Sequence, residues 1–377
     1  MTRAPLHLPD PTLLLAALLA EGIRVIGPAP VQGAIAYEPL DRPEDLPKGL
    51  SDSQSPGHYR LAETAPGRWF DYVVGPQSWK KWLFPARQKL WSAERTADGF
   101  ELGQPDEPWP RTAFFGVRPC EIAAMEIQDR VFDNGSFTDP GYARRRAGTL
   151  IVSVNCARAA ETCFCASTAT GPRAEAGYDL ALTELATGTG LLLEIGSDEG
   201  ARIAATLALA PATPAQIAEA KATSAATARA QTRAMPEAIA GTLKANPEHP
   251  QWEDVAARCL GCANCTLACP TCFCTDVEDV TDLSGDHAER WRSWDSCFSI
   301  DFTYVHGGAV RRSGKSRYRQ WMTHKLSAWH DQFGSSGCTG CGRCIAWCPV
   351  GIDIVAEAHA LSAPDPSLPA PAPHEEA

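Results

Sequence analysis

The sequence has no apolar run long enough to cross a bilayer, which takes about 20 consecutive apolar residues. Its most apolar early stretch, residues 13–20, follows prolines and an acid and ends at Glu21-Gly22. A secretory leader needs a basic start, a longer apolar core and a small-residue cleavage site, so a short amphipathic helix is expected instead. No G-x-G-x-x-G follows an expected strand, and there is no P-loop. Gly188-Thr189-Gly190 precedes a strand-like segment and opens no helix. The chain therefore shows no flavin or nicotinamide site of its own. The nine histidines are scattered, and none pairs with a nucleophile in a recognisable motif. Positive charge is also short: 34 Lys and Arg face 45 Asp and Glu, a net charge of −11, which disfavours a general nucleic-acid role.

What the sequence has in excess is cysteine. Fifteen cysteines, an odd number and clustered, argue against a disulfide scaffold and for a reducing compartment where thiols bind metal. The expected location is the cytoplasm. Cys259, Cys262, Cys265 and Cys269 stand as C-x2-C-x2-C-x3-C before Pro270, and Cys338, Cys341, Cys344 and Cys348 repeat the run 79 residues later before Pro349. This spacing is the one two-cluster ferredoxins use. Three thiolates on a tight turn reach three corners of one cubane, and the fourth points to the other. By that logic Cys259, Cys262, Cys265 and Cys348 hold one [4Fe-4S] cluster, and Cys338, Cys341, Cys344 and Cys269 hold the second. Zinc favours separated C-x-x-C pairs, and here three cysteines crowd each turn. The 68 residues at 270–337 form a much longer insertion than a compact ferredoxin needs.

The first 245 residues alternate strand-like and helix-like segments, which predicts an α/β (or α+β) domain. Residues 111–120 read as a buried strand running into a helix, 149–156 as a second strand, and 191–197 as a third, with an Ala-rich helix near 203–209. Residues 213–243 read as one or two bridging helices. Cys120 and Cys156 close the first two strands, and TCFC adds Cys163 and Cys165. Strand-end cysteines of neighbouring strands converge where open sheets bind ligands, which suggests a third [4Fe-4S] cluster; the alternative is ordinary buried cysteine. Cys272, Cys274 and Cys297 stay open, as part of another site or as small hydrophobes beside the clusters. A ferredoxin-like two-[4Fe-4S] domain is expected over 246–362, and residues 363–377, rich in Pro and Ala, are expected to be disordered.

Two further segments mix charge with other roles. Residues 311–325 place six Lys or Arg within fifteen residues. This is a solvated basic face, a dock for an acidic partner, or positive charge that tunes a cluster potential. In KKWLFPARQKL (80–90), Trp82, Leu83 and Phe84 read as core or interface anchors.

Together FFGVRPCE, VNCARAAETCFC, CLGCANCTLACPTCFCTDV, WDSCFSIDFT and GCTGCGRCIAWCPVGIDI resemble the β subunit of cytoplasmic NAD(P)-linked [NiFe] hydrogenases, the sulfhydrogenases, over roughly residues 111–354. The iron–sulfur α subunit of anaerobic sulfite reductase is similar. The resemblance implies a subunit with no catalytic centre of its own, relaying electrons between an FAD- and NAD(P)-binding reductase subunit and the large and small [NiFe] hydrogenase subunits. The sulfite reductase alternative puts a sirohaem subunit at the far end. It implies that the eight ferredoxin-type cysteines are ligands, and that Cys120, Cys156, Cys163 and Cys165 are the family's additional amino-terminal cysteines.

Overall fold

The structure, a computed structural model, describes residues 3–64, 67–103 and 108–363. Its largest sheet has seven strands in the order Leu6–Leu8, Leu191–Ile195, Leu180–Glu184, Thr149–Val154, Thr112–Val117, Arg24–Val31, Ala34–Leu40. The four strands from Leu180–Glu184 to Arg24–Val31 run parallel, and the pairings outside them are antiparallel. Parallel strands buried on both faces read as continuous apolar runs, which is why TAFFGV and TLIVSV were legible as strands. Successive side chains serve opposite faces. Phe115 packs with Leu14, Leu15, Leu18 and Ile203, whereas Phe114 packs with Ile122, Met125, Trp79 and Phe84. Each such fully buried side chain contributes roughly 1.5–3 kcal/mol.

The helix Pro119–Phe132 follows its strand as expected, with Pro119 at its first position. The segment at residues 13–20 forms the helix Pro11–Ala20, but it is apolar nearly all round: Leu14, Leu15 and Leu18 are buried and Leu13 is exposed. The helix expected at 203–209 starts and ends earlier, at Asp198–Ala205, because Ser197 caps its first turn. The bridging region forms two helices, Pro214–Arg229 and Ile239–Ala245.

A four-stranded antiparallel sheet was not foreseen. It orders Thr275–Thr281, His287–Trp294, Arg87–Thr96 and Gly99–Gly103, so the insertion between the cysteine runs pairs with strands from the first hundred or so residues. Trp82 is half-buried and Leu83 and Phe84 are fully buried where this sheet meets the larger one, with Trp294 donating from Nε1 to the Phe84 carbonyl (3.1 Å). The cysteine-rich part has its own core of Trp252, Val255, Tyr318, Trp321, Met322, Leu326, Ile345 and Ile354. The tail beyond 363 lies outside the described residues. Among the described residues no helix is long and apolar enough to cross a membrane.

Candidate iron–sulfur site

The two cysteine runs repeat in backbone as well as in sequence. Gly261 and Gly340 have φ of +65° and +62°, and Ala263 and Gly342 have +66° and +76°. Each run then enters a four-residue helix, Asn264–Leu267 or Arg343–Ala346. A left-handed residue just before the helix tightens the turn that carries three thiols, and alanine there costs about 1–2 kcal/mol. The glycine at the second copy has a further cause. A Cβ on Gly342 would lie 2.4 Å from the Thr162 carbonyl oxygen, and one on Gly340 would lie 2.6 Å from the Cys165 nitrogen. The second turn is thus packed backbone against backbone on the TCFC segment, and Phe164 N donates to Gly340 O (2.9 Å).

Cys259, Cys262, Cys265 and Cys348 line one cavity, which Cys344 of the second run also reaches, walled by Phe298, Tyr318, Trp321, Ile352 and Ile354. Burial pushes the Cys265 thiol well above its usual range, and Cys259, Cys348 and Cys262 add to the rise. Cys269 gathers instead with the second run. Burial raises Cys344 well up, with Cys338, Cys341, Cys269 and then Cys265 contributing, and Cys338 is pushed up to about 12. The last thiol of each run therefore sits with the first three of the other run.

Cys120 opens the helix after Thr112–Val117, and Cys156 lies just past the end of the neighbouring parallel strand Thr149–Val154. Both line a cavity with Cys163 and Cys165, and Cys341 of the second group closes the same wall. Burial raises Cys120 well up, and Cys165 and Cys341 add to it. Burial likewise pushes Cys165 up to about 12, although Gln231 donates from Nε2 to its sulfur (3.2 Å). Arg118 donates from Nη1 towards Cys156 Sγ (3.8 Å), and burial still leaves that thiol raised.

Of the three open cysteines, Cys272 lies against Cys269 of the second group, whereas Cys297 lies near Cys265 of the first. Cys272 hydrogen-bonds with Cys269, and Cys274 with Cys297. The bond from Cys297 lowers the Cys274 thiol to about 7, and the same bond raises Cys297.

Sequence reasoning missed the charged groups between the cavities. Arg343, between Cys341 and Cys344, is fully buried and pairs through Nη2 with Glu121 Oε1 (2.5 Å) beside Cys120. It also donates to the Gly75 and Gln77 carbonyls, and Glu121 Oε2 accepts from Tyr37 Oη (2.7 Å) and Trp79 Nε1 (3.1 Å). The available signal was Arg343 between Cys341 and Cys344, and Glu121 directly after Cys120.

The donors in all three groups are thiols, the ligands iron–sulfur clusters use. Buried thiols held high in pKa ionise when a metal replaces their protons. Among the described residues no three Cys, His, Asp or Glu converge tightly enough for a single metal ion. A lone zinc would need its thiolates about 2.3 Å from one point. The all-thiol donor set is the chemistry that suits iron–sulfur clusters.

The family described as "4Fe-4S dicluster domain" matches residues 258–352, which span both cysteine runs. The sulfhydrogenase 2 subunit beta of Pyrococcus furiosus is 33% identical over 247 residues, covering 64% of this chain and 71% of the relative. No solved structure matches the chain. With that identity over more than two thirds of the relative, the chain belongs to the family of sulfhydrogenase beta subunits.

Proposed function

We propose that the chain is an electron relay inside a cytoplasmic hydrogenase complex, with three cubane sites in a row and no catalytic centre. It would accept electrons from, or pass them to, an FAD- and NAD(P)-binding subunit on one side and the [NiFe] large and small subunits on the other. One observation carries the reading: Cys341 belongs to the second thiol group and lines the cavity of Cys120, Cys156, Cys163 and Cys165. The second site then stands between the first and the third.

In this reading Cys259, Cys262, Cys265 and Cys348 hold the first cluster, and Cys269, Cys338, Cys341 and Cys344 the second. Cys120, Cys156, Cys163 and Cys165 hold the third. Residues 246–362 form a ferredoxin-like unit with 270–337 inserted, and residues 1–245 supply the α/β support and the third site. Each cubane supplies one-electron exchange. The chain's residues do the rest. Phe298, Tyr318 and Trp321 exclude water from the first cavity, and Arg343 fixes the second turn against the third cavity. Cys262 and Leu260 remain exposed at the first site, which leaves that end open to a partner.

Anaerobic purification with iron and sulfide counting tests the reading. About twelve irons are expected, at four per cubane. Replacing Cys156 and Cys163 together by serine should lower the count by about four. About eight irons in the unaltered chain would remove the third site, and zinc without labile sulfide would overturn the whole. Co-purification identifies the terminal subunits, and a sirohaem protein in place of [NiFe] subunits would overturn the hydrogenase assignment.

A further inference from the structure

Two lysines are buried next to the second thiol group, and among the described ion pairs neither has a carboxylate partner. Lys325 lies in a single π-helical turn, His324–Ala328, that interrupts the helix continuing from Gly314–Thr323. Such turns insert an extra residue and re-aim side chains, often at functional sites. Here it turns Lys325 inward while Arg311, Arg312 and Arg319 of the same basic segment stay at or near the surface. Lys325 Nζ donates to Cys269 Sγ (3.3 Å), Thr271 Oγ1 (2.8 Å) and the Gly337 carbonyl (3.1 Å). Three acceptors match the three protons of an ammonium; a neutral amine has only two to give. Lys80 Nζ reaches the Leu267 and Cys272 carbonyls (3.4 and 3.2 Å), on either side of Cys269, and lies 4.0 Å from the Trp294 ring centroid.

A buried cation without a counter-charge is strongly disfavoured. Around Lys325 the groups able to carry negative charge are the cysteines: Cys269, Cys272 and Cys338. We propose that Lys325 is the built-in counter-charge of the second cluster and sets its potential above that of an otherwise equal site. The proposal rests on the assignment of Cys269 as a ligand. A cluster held here would supply one-electron exchange, taking its electron from a reduced neighbouring cluster that is oxidised in turn, with no bond made or broken; the chain's own contribution is the Lys325 ammonium, 3.3 Å from the ligand sulfur Cys269 Sγ. Hydrogen bonds to sulfur and net local charge are the established levers on such potentials. The first group has no buried lysine of this kind: no lysine or arginine lines its cavity, and the nearby cation is the half-exposed Arg317 beside the Gly261 turn, which hydrogen-bonds to the Arg311 and Arg312 carbonyls rather than to sulfur. The middle site is thereby set above the first in potential; the third has cations of its own, Arg118 and Arg158.

The test uses the full chain, purified anaerobically, with iron counted and each cluster's midpoint followed by EPR during redox titration. Lys325→Met and Lys325→Gln remove the charge, Lys325→Arg keeps it, and Lys80→Met removes the cation that does not touch sulfur. The neutral variants should keep the wild-type iron complement and show one midpoint displaced to lower potential. At the wild-type midpoint their ratio of reduced to oxidised cluster should fall about tenfold, equivalent to ~59 mV for one electron. Lys325→Arg should stay close to wild type, and Lys80→Met should shift less than Lys325→Met. Loss of the cluster from both neutral variants but not from Lys325→Arg also supports a counter-charge. A full iron complement with every midpoint unmoved overturns the proposal, as does an equal shift in Lys325→Arg. If the unaltered chain carries no cluster on the Cys269 group, the iron count and a Cys344→Ser control show that the ligand assignment itself has failed.

Discussion

Arg343 and Glu121 show how a single pair can tie two thiol groups together. Both are buried, and each satisfies further polar groups, so neither can relax towards water. Removing one member of a buried pair leaves the other uncompensated and costs about 3–5 kcal/mol. Arg343→Met should therefore lower the unfolding free energy by about that amount, read from urea titration at constant m. The loss should exceed that of Arg343→Lys, whose ammonium keeps the charge but cannot span the Gly75 carbonyl, the Gln77 carbonyl and the Glu121 carboxylate with one planar fork. An Arg343→Met protein as stable as wild type would remove the pair from any structural role. The eight ferredoxin-type cysteines were legible because their spacing is a local property. Arg343, Lys80 and Lys325 were not, because what matters in each is a partner 56 to 268 residues away.

Among the elements, legibility followed burial. Thr112–Val117 and Thr149–Val154 are buried on both faces and announce themselves as apolar runs, and they deliver Cys120 and Cys156 to one end of the sheet. The strand Thr275–Thr281, TDVEDVT, is almost wholly exposed and carries no such signal. Its neighbour His287–Trp294 pairs with Arg87–Thr96 nearly two hundred residues away, and no local pattern encodes that register. Charge helps to hold it. His287 Nδ1 lies 2.5 Å from Glu94 Oε1 across the strands, and Nε2 lies 3.3 Å from Glu289 Oε1. The Glu94 hydrogen bond, then that of Glu289, raises the His287 pKa above its ordinary 6.5. A raised folded-state value means the stabilisation is fully present below 6.5 and disappears as pH rises through that folded-state value. Amide exchange in the 287–294 strand, corrected for its intrinsic rate, should accelerate as pH climbs from about 6 to about 8. His287→Gln should flatten the dependence, and an unchanged slope would show that the imidazolium contributes nothing to the register.

For the whole molecule, composition marks a change of chemistry near residue 245, but the contacts run across it. Ser293 to His287 pairs with residues 87–94, Arg343 holds Glu121, and Gly57 N donates to the Ile345 carbonyl (3.0 Å). The third cavity is completed by Cys341 from the far side of that boundary. A piece comprising residues 1–245 would therefore keep the seven-stranded sheet and yet lose three things together: the partner of the Arg87–Thr96 strand, the cation buried against Glu121, and one wall of its own thiol cavity. An exposed strand edge and an uncompensated buried carboxylate both favour aggregation or local unfolding over a native state. The full chain should unfold in one cooperative transition, with visible absorbance and far-ultraviolet circular dichroism changing together. The 1–245 piece should fail to hold about four irons even when all four of its cysteines are intact. A fragment that folds, stays soluble and carries a cubane would mean that the third site is an independent module plugged into the relay. The predicted failure instead makes the third thiol cavity a product of both halves, complete only in a chain already folded around the second group.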